Sequence, residues 1–325
     1  MMRKWLVQLI VWASVLILLM LALRDVEFAQ ILPLLQQLTY AQIGMLLILN
    51  GLVIVCFAWR WQVILQALHP ARFFGRLCLH RLGGFGVSYF TPGPQVGGEP
   101  IQLALLQHEG IPSPVGIASI GLDKLIEIST NLTVILLGLL ILLNTQLPAD
   151  QVYLALLLGA FGLGLPISVL YALWRGVAPL SGCLRMLPNR GQIGRLKLLV
   201  EVIRQSEESM MAFLQTQPRA TLKAFGISII SWAGLMASYW LMASFIGIRL
   251  TLVELINLLM AQQVAFLLPL PGGLGALESS QTFMFGLLGY DPSIGITLSL
   301  LMRARDVTFG LLGLGWVALA WKAER

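Results

Sequence analysis

Residues 92–99 read PGPQVGGE and residues 271–278 read PGGLGALE. Each string follows an apolar stretch, and each sets proline, glycine and glutamate at the same spacing, from Pro92 to Glu99 and from Pro271 to Glu278. The offset is 179 residues (271 − 92), and without a gap it also pairs Gly110 with Gly289, Gly116 with Gly295, Lys124 with Arg303 and Glu127 with Asp306. Matches between glycines weigh little in a glycine-rich chain; matched charges inside hydrophobic segments weigh more. A helix-breaking motif with an acid, present twice in such a chain, predicts a broken-helix membrane protein with an internal repeat.

Composition agrees. Of 325 residues, 58% are hydrophobic and 11% are charged, against about a quarter charged in a soluble domain. The mean hydropathy is +0.84. That leaves too little polar surface to clothe a soluble protein, and the short alternating segments of a β-barrel are missing. The net charge of +6 is expected to reflect basic cytoplasmic loops rather than nucleic-acid binding. Cys56, Cys78, Cys183, His69, His80 and His108 are scattered without metal or redox spacing. There is no Walker motif and no dinucleotide fingerprint, so neither a metal nor a cofactor is expected.

The charge bias orients the expected spans. Residues 5–23 follow Arg3 and Lys4, which places the N-terminus in the cytoplasm. No small-residue cleavage site follows, as a signal peptide would require. Residues 41–59 run inward to a side marked by Arg60, Arg72, Arg76 and Arg81. Residues 115–143 run outward and 152–174, a linking span, return to a loop rich in arginine from Arg175 to Arg204. Within that loop, 189–217 reads as a cytoplasmic amphipathic helix, with Leu196, Leu199, Val200, Ile203, Met210, Met211 and Leu214 towards one face; a plain connector packed on the bundle is the other reading. Residues 220–246 cross outward and 294–320 run back, leaving Lys322 and Arg325 in the cytoplasm.

Segments 73–90 and 251–268 lead into the two Pro-Gly breaks, and 95–110 and 276–290 lead out. An exit helix of about 15 residues spans about 22 Å, short of a full crossing. The expected fold is therefore one integral membrane domain over 1–325: an all-α polytopic protein with six spans and two re-entrant broken-helix hairpins, fully crossing pairs being the alternative. The first repeat, 41–143, and the second, 220–320, then have inverted topology, the recurring plan of secondary transporters.

The breaks carry chemistry as well as shape. Pro92 and Pro271 lack an amide donor, and Gly93, Gly97, Gly98, Gly272, Gly273 and Gly275 permit tight turns and close backbone approach. Irregular backbone at membrane depth must be buried in protein or line a polar cavity. Glu99 and Glu278 fall in the first turns of the exit helices, where they either cap exposed amides or serve a ligand or proton site. Asp123, Lys124 and Glu127 interrupt one long span; Arg303, Arg305 and Asp306 interrupt another. Each such charge costs about 2.5–3.5 kcal/mol at the centre of a lone helix, so they are expected to face inward and pair. Lys124 with Glu127 and Arg303 with Asp306 share helix faces, and Asp123 is expected beside Lys124 or Arg303. Two readings remain: an ion-pair staple, or a cavity whose arginines clamp an anionic head group. Asn257, Gln262 and Gln263 are candidate lining residues. Tyr89, Trp59, Trp61, Trp232 and Trp240 fit interface anchoring. No serine has an evident histidine partner, so catalysis is not expected.

LPLPGGLGALE, Leu268 to Glu278, and YFTPGPQVGGEP, Tyr89 to Pro100, resemble the flippase-like membrane family of the transmembrane region of bacterial lysylphosphatidylglycerol synthase. The acid-bearing span after the first motif and the arginine-bearing span after the second are also similar. The resemblance covers roughly residues 10 to 320. It departs after Glu99, where relatives commonly carry an arginine and this chain has Pro100-Ile101-Gln102. It implies a multispan protein of the bacterial cytoplasmic membrane, with no synthase activity because the chain ends just past its last span. The expected role is a flippase or transporter of a lipid or lipid-like substrate with an anionic or zwitterionic head group. The alternatives are a small-solute secondary transporter and a non-transporting membrane partner of a separate enzyme. Expected partners are membrane lipids and a lipid-modifying enzyme.

Overall fold

A computed structural model of the chain describes residues 38–70, 73–91, 97–142, 149–185, 194–268 and 270–322. The span expected over 5–23, the break residues Pro92 and Gly93, and Arg325 lie outside the described residues. The described chain is all-α, with no strand among the described residues. Its helices are α1 (Tyr40–Leu68), α2 (Phe74–Phe90), α3 (Glu99–His108), α4 (Ser113–Leu142), α5 (Ala149–Trp174), α6 (Pro179–Arg185), α7 (Gly194–Thr216), α8 (Pro218–Phe245), α9 (Leu252–Leu267), α10 (Ala276–Leu287) and α11 (Ser293–Lys322). A single 3-10 turn, Pro271–Gly273, separates α9 from α10.

Among the described residues, α1, α4 and α8 are long and apolar enough to cross a membrane. Helix α11 matches them in length, but Arg303, Arg305 and Asp306 interrupt its apolar sequence. Helix α1 outruns the expected segment 41–59 by nine residues (68 − 59). After Gly51 neither glycine nor proline occurs until Pro70, so nothing ends the helix at Arg60.

Local sequence explains the other termini. Thr251 and Glu254 form a reciprocal capping box at the start of α9: the Glu254 amide donates to Thr251 Oγ1 and the Thr251 amide to Glu254 Oε2. Helices α3 and α10 end on glycines in the left-handed region, Gly110 at φ 81° and Gly289 at φ 83°. At the first, Ile111 N donates to Leu106 O; at the second, Tyr290 N donates to Phe285 O, each at 3.0 Å.

The described chain divides into two compact units. The first takes in residues up to Leu52, Leu79–Ile101 and Gly234–Arg325; the second takes in Val53–Cys78 and Gln102–Ala233. The division does not follow the expected repeats over 41–143 and 220–320: the residues flanking both Pro-Gly breaks belong to the first unit.

In the second unit, Ile64, Ala118, Leu122, Ile126, Leu173 and Phe213 form one buried core, and Trp61, Leu65, Leu77, Leu106, Ile111 and Ile120 another. Helix α7 packs on α4 and α5, with Met210 and Leu214 in the core, whereas Leu199 points outward. Buried Glu207 accepts the Leu180 and Ser181 amides at 2.7 and 2.8 Å, which holds α6 on α7. On the outer face of α7, hydrogen bonding from Arg204 holds the Glu201 carboxyl down at about 2.

In the first unit α2 and α11 meet backbone to backbone. A Cβ added to Gly86 would lie 2.5 Å from Gly310 O, and one added to Gly313 would lie 2.1 Å from Leu82 O. Small residues of this kind let helices approach in a membrane protein. Gly313→Val is expected to cost about 1–3 kcal/mol through overpacking, read as a lower unfolding midpoint in detergent. Gly315→Val, where nothing lies within 4 Å of the added Cβ, is expected to leave the midpoint unchanged.

Candidate functional site

The second break is a turn held open by one arginine. Gly272, Gly273 and Gly275 have φ of 54°, 63° and 74°, a region that side chains with a Cβ resist. The turn leaves carbonyls pointing away from any helix ladder. Arg303, from the first half of α11, meets two of them: Nη1 donates to Gly272 O at 3.2 Å and Nη2 to Gly273 O at 3.3 Å. The same guanidinium grips Glu278 with both edges of its fork, Nε donating to Oε1 and Nη2 to Oε2, the latter at 2.7 Å. Only 3% of the Arg303 side chain is exposed. The Tyr89 phenol lies against this guanidinium, and its ring covers Gly272, where an added Cβ would be 2.9 Å from Cζ.

The first break uses glycine for a different reason. A Cβ on Gly98 would lie 2.0 Å from Gly84 O on α2, so the entry to α3 fits only a bare backbone. The Gly98 amide donates to Ser88 Oγ at 2.9 Å, and the Gly97 amide to Glu99 Oε2 at 2.8 Å. The two glutamates at matching motif positions thus do different work. Glu99 accepts the Gly97 amide just before its own helix, while Glu278 pairs with an arginine of α11.

Beside Arg303, on the same helix, Arg305 donates through Nε to Asp306 Oδ1 at 2.8 Å and through Nη1 to Asn50 Oδ1 at 3.2 Å. Asn50 is buried on α1 and is fixed by Leu46 O and by Ser238 of α8. The pairing expected between Arg303 and Asp306 is therefore not the one observed: Arg303 reaches Glu278, and Asp306 takes Arg305. The turn carbonyls draw the longer reach of Arg303 away from its own helix.

In the second unit the centre of charge is Arg60, buried on α1. Its Nε and Nη2 donate to Asp123 at 2.6 and 3.1 Å, Nη2 also to Glu127 at 3.0 Å, and Nη1 to Ser228 Oγ at 3.0 Å. Lys124 Nζ donates to the other Glu127 oxygen at 2.9 Å. Asp123 is thus a partner of Arg60. The sequence reading missed Arg60 by placing it at a span's end; the unbroken helical run to Pro70 was the available signal. It also missed Asn50, Ser228 and Ser238, whose signal was polarity inside apolar helices. Tyr89, Trp61 and Trp232 are buried instead of anchoring an interface, with Trp61 Nε1 donating to Ser119 Oγ at 3.2 Å, whereas Trp59 and Trp240 are exposed.

Each cluster balances two cations with two carboxylates: Arg303 and Arg305 against Glu278 and Asp306, Arg60 and Lys124 against Asp123 and Glu127. Asn257 and Gln262 are buried on α9, and Asn257 Oδ1 has no hydrogen-bond partner among the described residues. Removing one partner of a buried pair costs about 3–5 kcal/mol because the other is left uncompensated. Arg60→Ala, which removes the guanidinium from Asp123 and Glu127, is expected to lower the unfolding midpoint in detergent by that measure. An unchanged midpoint would show that the cluster contributes nothing to the fold.

A family model described as "Lysylphosphatidylglycerol synthase TM region" matches residues 5–313. A UPF0104 membrane protein of Methanothermobacter thermautotrophicus is 24% identical over 283 residues, covering 82% of this chain and 80% of its own length. The UPF0104 membrane protein PH1989 of Pyrococcus horikoshii is 21% identical over 264 residues, covering 77% of this chain and 78% of its own. No solved structure matches.

Proposed function

The chain belongs to the family of the lysylphosphatidylglycerol synthase transmembrane region, and from that footing we propose that it is a flippase or transporter for a lipid or lipid-like substrate with an anionic or zwitterionic head group. The observation that carries this reading is the Arg303–Glu278 pair seated on the carbonyls of a broken helix. In an apolar chain such a polar, non-helical centre is tolerated where it is enclosed by protein or borders an aqueous route. It also sets cationic groups where a phosphate would be drawn.

Inverted repeats are part of the proposal. Adding 179 to the bounds of α1 to α4 gives 219–247, 253–269, 278–287 and 292–321, against 218–245, 252–267, 276–287 and 293–322 for α8 to α11. A matching contact supports the same offset. A Cβ on Gly116 would meet Leu103, and one on Gly295 would meet Thr282, each 13 residues earlier (116 − 103 and 295 − 282). With α1, α4 and α5 each crossing once and the broken pairs returning to the side they entered, α8 starts opposite to α1. That path puts the arginine-rich 175–217 region and both termini in the cytoplasm, by the positive-inside bias, and the protein in the cytoplasmic membrane. It fits a carrier that alternates around a fixed centre. Membrane lipids are the proposed partners, with a lipid-modifying enzyme as a source of substrate.

Reconstitution in liposomes with head-group-labelled phospholipids tests the reading. Leaflet exchange faster than in protein-free liposomes is expected, slowed in Arg303→Lys, which keeps the charge but cannot grip Glu278 and two carbonyls together. Exchange no faster than in empty liposomes across the lipid panel would rule out the carrier role.

A further inference from the structure

Helix α5 ends beside a guanidinium that its own aromatic residues hold. Arg175 follows directly on Trp174, and its Nε donates to the Tyr171 hydroxyl, one turn earlier, at 2.9 Å. The guanidinium carbon lies 5.4 Å from the centre of the Tyr171 ring and 6.0 Å from that of Trp174, a double cation–π contact. The backbone there is closed by Gly176 at φ 81°, with Val177 N donating to Ala172 O at 2.8 Å. Gln215 of α7 donates to Trp174 O at 3.0 Å and so ties the end of α5 to α7. All of these residues belong to the second unit. The two terminal nitrogens of Arg175 make no hydrogen bond among the described residues. Arg204, on α7, is by contrast taken up by Glu201 and Glu208. Tyr171, Trp174 and Val177 are exposed, and Leu157, Phe161 and Leu165 are exposed further back along α5.

We infer that this end of α5 binds an anionic phospholipid of the surrounding leaflet, the terminal nitrogens of Arg175 forking its phosphate and its acyl chains lying along the exposed apolar side chains of α5. Exposed tyrosine and tryptophan on a membrane helix sit at head-group level, which is where a lipid phosphate lies. A guanidinium already tied through Nε and stacked on rings has less freedom left to lose on binding, and its open edge matches a phosphate bidentately. Residues 175–204 carry six basic side chains, Arg175, Arg185, Arg190, Arg195, Lys197 and Arg204, against one acid, Glu201. That excess draws a lipid of net negative charge ahead of a zwitterionic one. The site shares no residue with the broken-helix turn: Arg303 is enclosed, whereas Arg175 is exposed. The lipid here is a bound neighbour and not cargo. The inference therefore goes beyond the carrier reading and needs only a membrane around α5.

The test uses the full chain in phosphatidylcholine nanodiscs doped with phosphatidylglycerol or phosphatidylcholine that carries a photoactivatable group high on one acyl chain. Adducts are located by mass spectrometry of peptides. The segment 171–180 is expected to be labelled about tenfold more by the glycerol lipid than by the choline lipid. Arg175→Gln is expected to lower labelling by the glycerol lipid about tenfold. Arg175→Lys keeps the charge but cannot fork a phosphate, and a loss of about threefold is expected. Tyr171→Phe keeps the ring, frees Arg175 Nε and is expected to cost about threefold as well. Arg219→Gln removes an exposed charge from the same unit and is expected to leave the labelling unchanged. Equal labelling by the two lipids, labelling that survives Arg175→Gln, or labelling that falls as far in Arg219→Gln overturns the inference. Should Arg175→Gln not fold, wild-type labelling in both Arg175→Lys and Tyr171→Phe overturns it as well. Selective labelling without leaflet exchange in liposomes leaves this site standing and removes the carrier role. Exchange without selective labelling does the opposite.

Discussion

A helix broken inside an apolar bundle leaves carbonyls that no ladder partner can reach. Leaving such groups unbonded away from water costs several kcal/mol each. In this chain one guanidinium meets that demand: Arg303 binds Gly272 O, Gly273 O and the Glu278 carboxylate at once. Each member needs the others. Without the turn, Arg303 would have only a carboxylate to offset its burial; without Arg303, the positive-φ glycines would hold a bend with unanswered carbonyls. Tyr89, just ahead of the first break, closes over Gly272 and so joins the two breaks within one unit.

In the second unit a buried guanidinium answers carboxylates rather than turn carbonyls. Arg60 gathers Asp123, Glu127 and Ser228, and Lys124 completes the balance through Glu127. There the guanidinium comes from α1 and the carboxylates from α4, whereas in the first unit α11 supplies both cations. Lys124 and Arg303 stand at matching positions 179 residues apart (303 − 124), yet Lys124 donates to a carboxylate of its own helix and Arg303 organises a turn.

Much of this was legible in the sequence because it depends on spacing. The Pro-Gly strings located the turn before α10, the apolar runs located α4 and α8 to within two residues, and Thr251 with Glu254 carried its own capping signature. What escaped depends on which side chain reaches which partner. Arg60 was read as a loop marker because basic residues commonly end spans; only the unbroken helix to Pro70 brings it opposite Asp123. Arg303 and Asp306 share a helix face, but a long side chain answers the nearest unsatisfied carbonyls, and their position follows from the turn's geometry. The close meeting of α2 and α11 at Gly86 and Gly310 was hidden for the same reason, since glycine in a membrane helix signals an approach without naming what approaches.

Hydrogen exchange across residues 270–278, followed by mass spectrometry in lipid nanodiscs, measures the guanidinium-held turn most directly. The Gly273 and Leu274 amides bond to Leu270 O and Pro271 O, so their protection reports whether the turn stays closed. In Arg303→Gln these amides are expected to exchange markedly faster than in the wild-type protein, while α4 keeps its protection. Unchanged exchange in that segment would contradict a turn that depends on Arg303.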